Sequence, residues 1–207
     1  MGARKKEALE QFNRDNIIRA AKELFDSKGV DKTTMDDIAN LADYSKSTIY
    51  VYFKSKEDIY NSIVDDYINL LVGELELIVG SDSDFENSYY RLCDCLVRFE
   101  EKYPKYYQSL LGETKGTNSR KPGADNKVHV NELIGLIEKL LVNGRKNKHL
   151  REDIELQPTV LYVWSAISGI IQVADRKKEC IGYEMNMDKD EYLRYSFETF
   201  YRSLVRR

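Results

Sequence analysis

Apolar residues recur at helical spacing along most of this 207-residue chain, and only three prolines interrupt the pattern. Ile17, Ile18, Ala21, Leu24 and Phe25, for example, are spaced so that they fall on one face of a helix. Alternating apolar and polar residues, which are typical of strands, are scarce. The sequence therefore predicts an all-α fold.

Capping residues divide the N-terminal segment into short helices. The first helix is predicted over about residues 14–28, with Gly29 placed as its C-terminal cap. Thr34 is followed three residues later by Asp37, which is the spacing of a capping box. A second, short helix is therefore expected over residues 35–42.

A third helix follows after a tight turn. Ser45 is a good N-cap for a helix over residues 46–52, so the chain has about three residues in which to turn. Ile49 and Phe53 lie four residues apart and are expected to face the first two helices, which directs the polar side chains of the third helix to solvent. Two short helices joined by such a turn form a helix-turn-helix.

The distribution of charge limits the partners of the chain. A net charge of -3 argues against a protein that is basic over its whole surface, so any contact with nucleic acid must be local. Two basic clusters exist, formed by Arg4, Lys5 and Lys6 and by Lys46, Lys54 and Lys56. No stretch approaches the roughly 18 uninterrupted apolar residues of a membrane span, and the N-terminus lacks the apolar core of a signal peptide. We therefore expect a cytoplasmic protein with no membrane partner.

The segment IIRAAKELFDSKGVDKTTMDDIANLADYSKSTIYVYFKSKEDIYNSIV resembles the N-terminal DNA-binding domain of transcriptional regulators of the TetR/AcrR family. The resemblance covers about residues 14–64. The family usually has glycine at the position of Asp43, and aspartate tolerates the left-handed turn conformation better than most residues. The resemblance implies an N-terminal three-helix helix-turn-helix domain over residues 1–55 and a larger helical ligand-binding and dimerisation domain over residues 56–207.

The third helix carries the predicted DNA contacts. N-terminal residues of a recognition helix reach base edges in the major groove, where Lys46 can donate to guanine and the hydroxyls of Ser47 and Thr48 can serve several bases. Residues at or just past the end of the helix are expected at phosphates. Thr34 and Ser45 are expected to be caps first and DNA ligands second. The predicted DNA-binding residues are Thr34, Ser45, Lys46, Ser47, Thr48, Tyr50, Tyr52 and Lys54.

The remainder of the chain shows no comparable motif. Ser55 and Asp58 form a second capping box that begins a long helix towards Gly80, and the polar segment 115–126 is predicted to be a loop. Aromatic residues of the middle helices are candidates for the wall of a pocket that suits an apolar or aromatic effector. These candidates are Phe99, Tyr103, Tyr106, Tyr107, Tyr162 and Trp164.

The last two long helices are predicted to form a dimer interface. Residues 158–175 are apolar on nearly every side, which is unfavourable for a helix exposed to water. Together with the helix over residues 190–207, this helix from each of two subunits would make a four-helix interface, as TetR-like proteins use. The candidate interface residues are Ser165, Ile167, Gly169, Phe197, Phe200 and Tyr201.

The leading hypothesis is a homodimeric TetR-like repressor that binds a near-palindromic DNA operator and releases it when a small molecule binds in the C-terminal domain. Two alternatives to it remain. The first is a helical enzyme that uses Cys93 or Cys95 with a histidine, although no catalytic triad order or phosphate loop accompanies these residues. The second is a DNA-binding regulator whose C-terminal domain is an interaction module without a small ligand. His129 and His149 lack partners at metal-binding spacing, so neither a metal nor a cofactor is predicted. The prediction is a DNA-binding regulator, not an enzyme.

Overall fold

The structure is a computed structural model that describes residues 2–81, 84–111 and 124–206. Over these residues the chain forms ten α-helices and no named strand, which confirms the all-α prediction. The helices are α1 (Gly2–Lys28), α2 (Met35–Ala42), α3 (Lys46–Tyr52), α4 (Lys56–Gly80), α5 (Phe85–Lys102), α6 (Pro104–Leu110), α7 (Ala124–Lys146), α8 (Leu156–Arg176), α9 (Lys178–Met185) and α10 (Lys189–Leu204).

The described residues divide into two compact units, and the division falls inside α4. Unit 1 contains the chain up to Tyr67 and the described part of residues 111–125, and unit 2 contains Ile68–Leu110 and the chain from Asn126 onwards. The sequence placed the boundary at residue 55, at the start of α4. That domain boundary stays a prediction, because a division by contacts and a division by function need not coincide.

Unit 1 is built on the packing of α2 against α1 and α3. Its core contains Ile17, Ala21, Ile38, Ile49 and Phe53, all buried. Helix α1 begins at Gly2, well before the predicted start near residue 14. Side chains 4–12 are exposed, so they add no apolar stripe that a periodicity argument could detect, and the helix continues there through residues of high helix propensity.

Unit 2 contains the packed helices α5, α6, α8 and α10. Helix α8 is long and apolar enough to cross a membrane by length and composition, a test that core helices also pass. Val160, Val163, Ile167 and Ile171 of α8 are buried among the other helices. Of the loop predicted over residues 115–126, residues 115–123 lie outside the described residues. The last three residues of the predicted loop already belong to α7, which begins at Ala124.

Candidate nucleic-acid interface

The entry to α2 is fixed by a reciprocal capping box. The Thr34 hydroxyl accepts a hydrogen bond from the Asp37 backbone N–H at 3.1 Å, and the Asp37 carboxylate accepts one from the Thr34 backbone N–H at 2.8 Å. Lys28 Nζ lies 2.7 Å from the same carboxylate. Hydrogen bonds from Lys28 and Thr34 lower the pKa of Asp37 to about 2. The predicted capping box is confirmed, and it also ties α2 to the end of α1.

The turn between α2 and α3 depends on one left-handed residue. Asp43 has φ 59° and ψ 42°, and its backbone N–H donates to Asn40 O at 3.4 Å. The next residue, Tyr44, donates its backbone N–H to Ala39 O at 3.0 Å. Aspartate therefore adopts the conformation that glycine adopts at low cost, as the sequence predicted.

Three hydroxyl groups cluster at the start of α3. Ser45 Oγ accepts a hydrogen bond from the Thr48 backbone N–H at 3.1 Å, which confirms Ser45 as the N-cap. The same oxygen lies 2.8 Å from Ser47 Oγ and 2.7 Å from Thr48 Oγ1. These hydroxyls can rotate, so each can exchange its partner within the protein for a base or phosphate oxygen.

Helix α3 has one buried face and one exposed face. Ile49 is fully buried, and Phe53, just past the helix end, is buried beside it. Lys46, Ser47 and Tyr50 are exposed. Val51 is 77% exposed on the same helix, an unusual position for a large apolar residue. Val51 was not among the predicted contact residues, although its position next to Tyr50 and four residues after Ser47 is a signal for it.

Two tyrosines of this region are bound to α1. The Tyr52 hydroxyl accepts a hydrogen bond from Asn13 Nδ2 at 2.8 Å, and the Tyr44 hydroxyl donates to Asn13 Oδ1 at 2.7 Å. Arg14 lies over the Phe53 ring, 4.4 Å from its centre, and donates to Tyr52 O at 3.1 Å. Asn13 and Arg14 therefore orient α3. The Tyr52 hydroxyl already has a partner within the protein, which makes it a positioning group as well as a candidate phosphate contact.

The lysines of the predicted basic cluster differ in what they contact. Lys46 Nζ lies 2.9 Å from Asp36 Oδ2, and both side chains are largely exposed, so this ion pair can open towards a phosphate or a base. The hydrogen bond that Lys46 donates to Asp36 raises the pKa of Lys46. Lys54 is exposed, and its backbone N–H donates to Asp58 Oδ2 at 2.8 Å. One half of the predicted capping box is present, because the Ser55 hydroxyl accepts a hydrogen bond from the Asp58 backbone N–H at 3.2 Å. The Asp58 carboxylate, however, accepts from the backbone N–H of Lys54, the residue before Ser55.

Lys56 has a structural position. Its ammonium group donates to the carbonyl oxygens of Val30, Asp31 and Thr33 at 2.9, 3.1 and 3.1 Å. All three donors of the group are therefore directed at the loop that precedes α2. Lys56 belongs to the scaffold of unit 1, and the basic surface beside α3 is formed by Lys46 and Lys54.

The candidate ligand residues in unit 2 are not all in one place. Phe99 and Tyr103 line a half-open cavity of about 320 Å³ between α4 and α5. Tyr107 and Trp164 are buried, and Tyr106 is half-buried with its ring 6.3 Å from that of Tyr103. Tyr162 is exposed and packs its ring edge against Phe200, with the ring centres 5.3 Å apart, and its assignment to a pocket wall stays a prediction.

The structure also locates the candidate interface residues. Ile167, Phe197, Phe200 and Tyr201 are buried within one chain, because α8 and α10 pack on each other and on α5. These four side chains therefore expose little surface in the single chain, and their assignment to the dimer interface stays a prediction. The face that α8 leaves open contains Leu161, Tyr162, Ser165, Gly169 and Val173. Of the predicted set, Ser165 and Gly169 remain on an accessible face.

The thiol chemistry required by the enzyme alternative is unfavourable. Cys93 and Cys95 are buried. Burial raises the pKa of both thiols, to about 12 for Cys95, so neither forms a thiolate nucleophile at neutral pH. His149 stacks on the Phe85 ring with the ring centres 6.1 Å apart. Among the described residues, no group of three or more His, Cys, Asp or Glu side chains could hold a metal ion.

The fold and the exposed α3 define a helix-turn-helix DNA-binding protein. Residues 17–63 match the sequence profile of the bacterial regulatory proteins of the tetR family. The biofilm operon icaADBC HTH-type negative transcriptional regulator IcaR of Staphylococcus epidermidis is 28% identical over 142 residues, which cover 69% of this chain and 74% of that protein. IcaR proteins of Staphylococcus aureus are 34% identical over 100 residues, so the chain spans about half (53%) of their length. Residues 17–63 are therefore a helix-turn-helix DNA-binding domain of the tetR type, and over most of its length the chain is similar to transcriptional regulators of that family.

Solved structures show the same fold over nearly the whole chain. A transcriptional regulator of the TetR/AcrR family from Thermobifida fusca superposes with a TM-score of 0.72 at 21% identity, covering 91% of this chain and 96% of that one. The complex of SmeT with triclosan superposes with a TM-score of 0.71 at 20% identity, covering 94% and 92%. SmeT is the repressor of the Stenotrophomonas maltophilia multidrug efflux pump SmeDEF.

Proposed function

We propose that this chain is a cytoplasmic, homodimeric repressor that binds a near-palindromic operator and releases it when a small molecule binds in the C-terminal domain. In this proposal residues 1–55 bind DNA, and residues 56–207 bind the effector and form the dimer. The contacts proposed with DNA come from the residues predicted above, with Val51 added and with Tyr52 acting mainly through its bond to Asn13.

The observation that carries the DNA-binding part is the two-sided character of α3. Ile49 fixes one side in the core of unit 1, while Lys46, Ser47, Tyr50 and Val51 are exposed to solvent. Such a surface suits the major groove, because it combines a cation, hydroxyl groups and an apolar group that can contact a thymine methyl. Lys54 then provides a phosphate contact beside the groove.

Repression is proposed from the relatives that carry the helix-turn-helix. The IcaR proteins are negative regulators of the icaADBC biofilm operon, and SmeT is the repressor of an efflux pump. A helix-turn-helix dimer represses when its bound operator overlaps the start of transcription. We propose the same mode for this chain, with two recognition helices that read major-groove faces about 34 to 36 Å apart.

Dimerisation is proposed through the face of α8 that its own chain leaves open. This face carries Leu161, Tyr162 and Val173, all exposed, with Ser165 and Gly169 between them. Addition of a Cβ atom at Gly169 would meet no atom within 4 Å, so a neighbouring helix can approach closely there. Burying large apolar groups around small residues in this way is typical of stable helical interfaces.

Release by a small molecule is proposed from the cavity in unit 2 and from the known complex of SmeT with triclosan. Helix α4 contributes residues to both units, so a change in its C-terminal half can alter the placement of its N-terminal half. A ligand would weaken operator binding only by as much as it prefers the non-binding conformation, typically about 1 to 3 kcal/mol.

The test is selection of binding sites from a random pool of duplex DNA, followed by fluorescence anisotropy on the selected site. We expect an inverted repeat with two half-sites. Lys54→Ala should lower affinity for every sequence and reduce the slope of log affinity against log salt by about one, whereas Lys46→Ala should relax the preference at one base pair. Failure to select any site, or a site without two-fold symmetry, would refute the proposal.

A further inference from the structure

Two buried polar atoms in unit 2 have no hydrogen-bond partner among the residues that the structure describes. They are Glu100 Oε2, on α5, and the hydroxyl oxygen of Tyr107, on α6. Glu100 is 7% exposed and Tyr107 is 1% exposed. A buried donor or acceptor without a partner costs about 1 to 3 kcal/mol, and more when it is charged, so proteins rarely keep one without a reason.

The two groups also influence each other. Burial raises the pKa of Tyr107, and the negative charge of Glu100 raises it further. Helices α5 and α6 pack together and are joined through Tyr103, which brings both side chains into the same part of unit 2.

Lys189 only partly neutralises the carboxylate. Its Nζ lies 3.7 Å from Glu100 Oε2, beyond hydrogen-bond distance, and 3.0 Å from Glu101 Oε1. Asp175 adds a further negative charge that raises the pKa of Glu100, after the larger effect of burial. Glu100 and Glu101 therefore share one ammonium group, and an added cation would balance the remaining negative charge.

We propose that Glu100 and Tyr107 form the polar end of an effector site that takes an organic cation, with the protonated amine of the ligand donating to Glu100 Oε2 and contacting the Tyr107 hydroxyl. This inference rests on the proposed function in one respect, namely that unit 2 binds the effector. It changes the chemical class expected from the sequence: the ligand has an apolar body and carries a protonated amine as well.

The ligand class follows from what each atom lacks. A carboxylate is an acceptor only, so its missing partner must be a donor, and an ammonium group supplies both the donor and the charge. A tyrosine hydroxyl can accept from the same ammonium group or donate to a neighbouring acceptor on the ligand. An anionic ligand would add a further negative charge beside Glu100 and Glu101, which makes it the least favourable class.

The experiment compares three probes that share one apolar body and differ only in the terminal group. Isothermal titration of the full-length protein with 4-phenylbutylamine, 4-phenylbutan-1-ol and 4-phenylbutyric acid at pH 7 measures the preference directly. We expect the amine to bind about tenfold more tightly than the alcohol, because a hydrogen bond to a charged group contributes about 1.5 kcal/mol or more. The acid should bind most weakly.

Three variants locate the preference. Glu100→Gln keeps the shape of the side chain and should remove the advantage of the amine while leaving affinity for the alcohol unchanged. Tyr107→Phe should weaken amine binding several-fold. Glu101→Gln is the matched control, since Glu101 also contacts Lys189 but is about half exposed, and it should leave the amine preference intact. Circular dichroism checks that each variant is folded.

Equal affinity for amine and alcohol, an amine preference that survives Glu100→Gln, or no binding of any probe would overturn the proposal and leave the pair as groups bound only to water. Operator binding is measured separately, by anisotropy with and without the amine. If the amine binds at Glu100 without affecting operator affinity, the site stands and the gating proposal fails. If another molecule releases the operator while no amine binds, the gating proposal stands and this site fails.

Discussion

The recognition helix offers a direct test, because two neighbouring aliphatic residues lie on its opposite faces. Helix α3 has only seven residues, too few to be stable alone, so it depends on docking. Ile49 is its buried residue, with no exposed surface. Ile49→Ala removes buried methyl groups and should lower the free energy of unfolding of unit 1 by about 3 kcal/mol. DNA binding should fall with it, because the helix loses its fixed orientation.

Val51→Ala is the matched control for stability. Val51 is 77% exposed, so its truncation should change the free energy of unfolding by less than about 0.5 kcal/mol. If α3 enters the major groove, however, the lost methyl groups should weaken operator binding by about 1 kcal/mol. The two substitutions therefore separate stability from recognition on one helix.

The assay for unit 1 is amide hydrogen exchange combined with urea denaturation followed by circular dichroism. The amide of Phe53, which donates to Ile49 O at 3.0 Å, reports the last turn of α3. Fluorescence of Trp164, the single tryptophan, reports unit 2 and should not change at low urea. A loss below about 1 kcal/mol for Ile49→Ala, or unchanged DNA affinity for Val51→Ala, would refute the two-sided description of α3.

Three further predictions concern charge, assembly and acid stability. Asp36→Asn should raise DNA affinity by about threefold at low salt, because it frees Lys46 from its ion pair and removes a negative charge beside the duplex; anisotropy titrations measure this. Val173→Asp should dissociate the dimer in light scattering, whereas Val142→Asp, on α7, should not, although the two valines are equally exposed at 41% and 43%. Asp37→Asn should destabilise unit 1 at neutral pH. The pKa of Asp37 in the folded protein is about 2, against an ordinary value of 3.8. The carboxylate therefore stabilises the fold above about pH 4, and this effect is lost as the pH falls towards 2. Urea denaturation should then give the same stability for variant and parent near pH 2.

Each of these has a clear contrary result. Weaker DNA binding by Asp36→Asn would mean that the carboxylate positions Lys46 for its contact. A dimer that survives Val173→Asp would place the interface away from the open face of α8. A difference in stability between Asp37→Asn and its parent that is the same at pH 7 and pH 2 would show that the charge of this carboxylate does not matter.

The sequence by itself determined the elements of unit 1, because their signals are local. Capping by Thr34 and Ser45 and the left-handed turn at Asp43 depend on residues within three or four positions along the chain, and each is found where it was predicted. The early start of α1 was not predicted, since its exposed first turns carry no apolar stripe. The bond network of Asn13 with Tyr44 and Tyr52 was not predicted either, because its members lie far apart in the sequence.

Only the tertiary structure decided which side of each C-terminal helix is covered. Helix α8 is apolar on most sides, and its sequence alone does not show that Ile167 faces its own chain while Val173 faces outwards. The same holds for Glu100. In the sequence it is indistinguishable from an exposed surface charge, whereas in the structure the packing of α5 and α6 buries it in the same part of unit 2 as Tyr107. Burial depends on contacts between residues distant in the chain. The free energy of burying a charge depends on whether those contacts supply it with a hydrogen bond or an opposite charge.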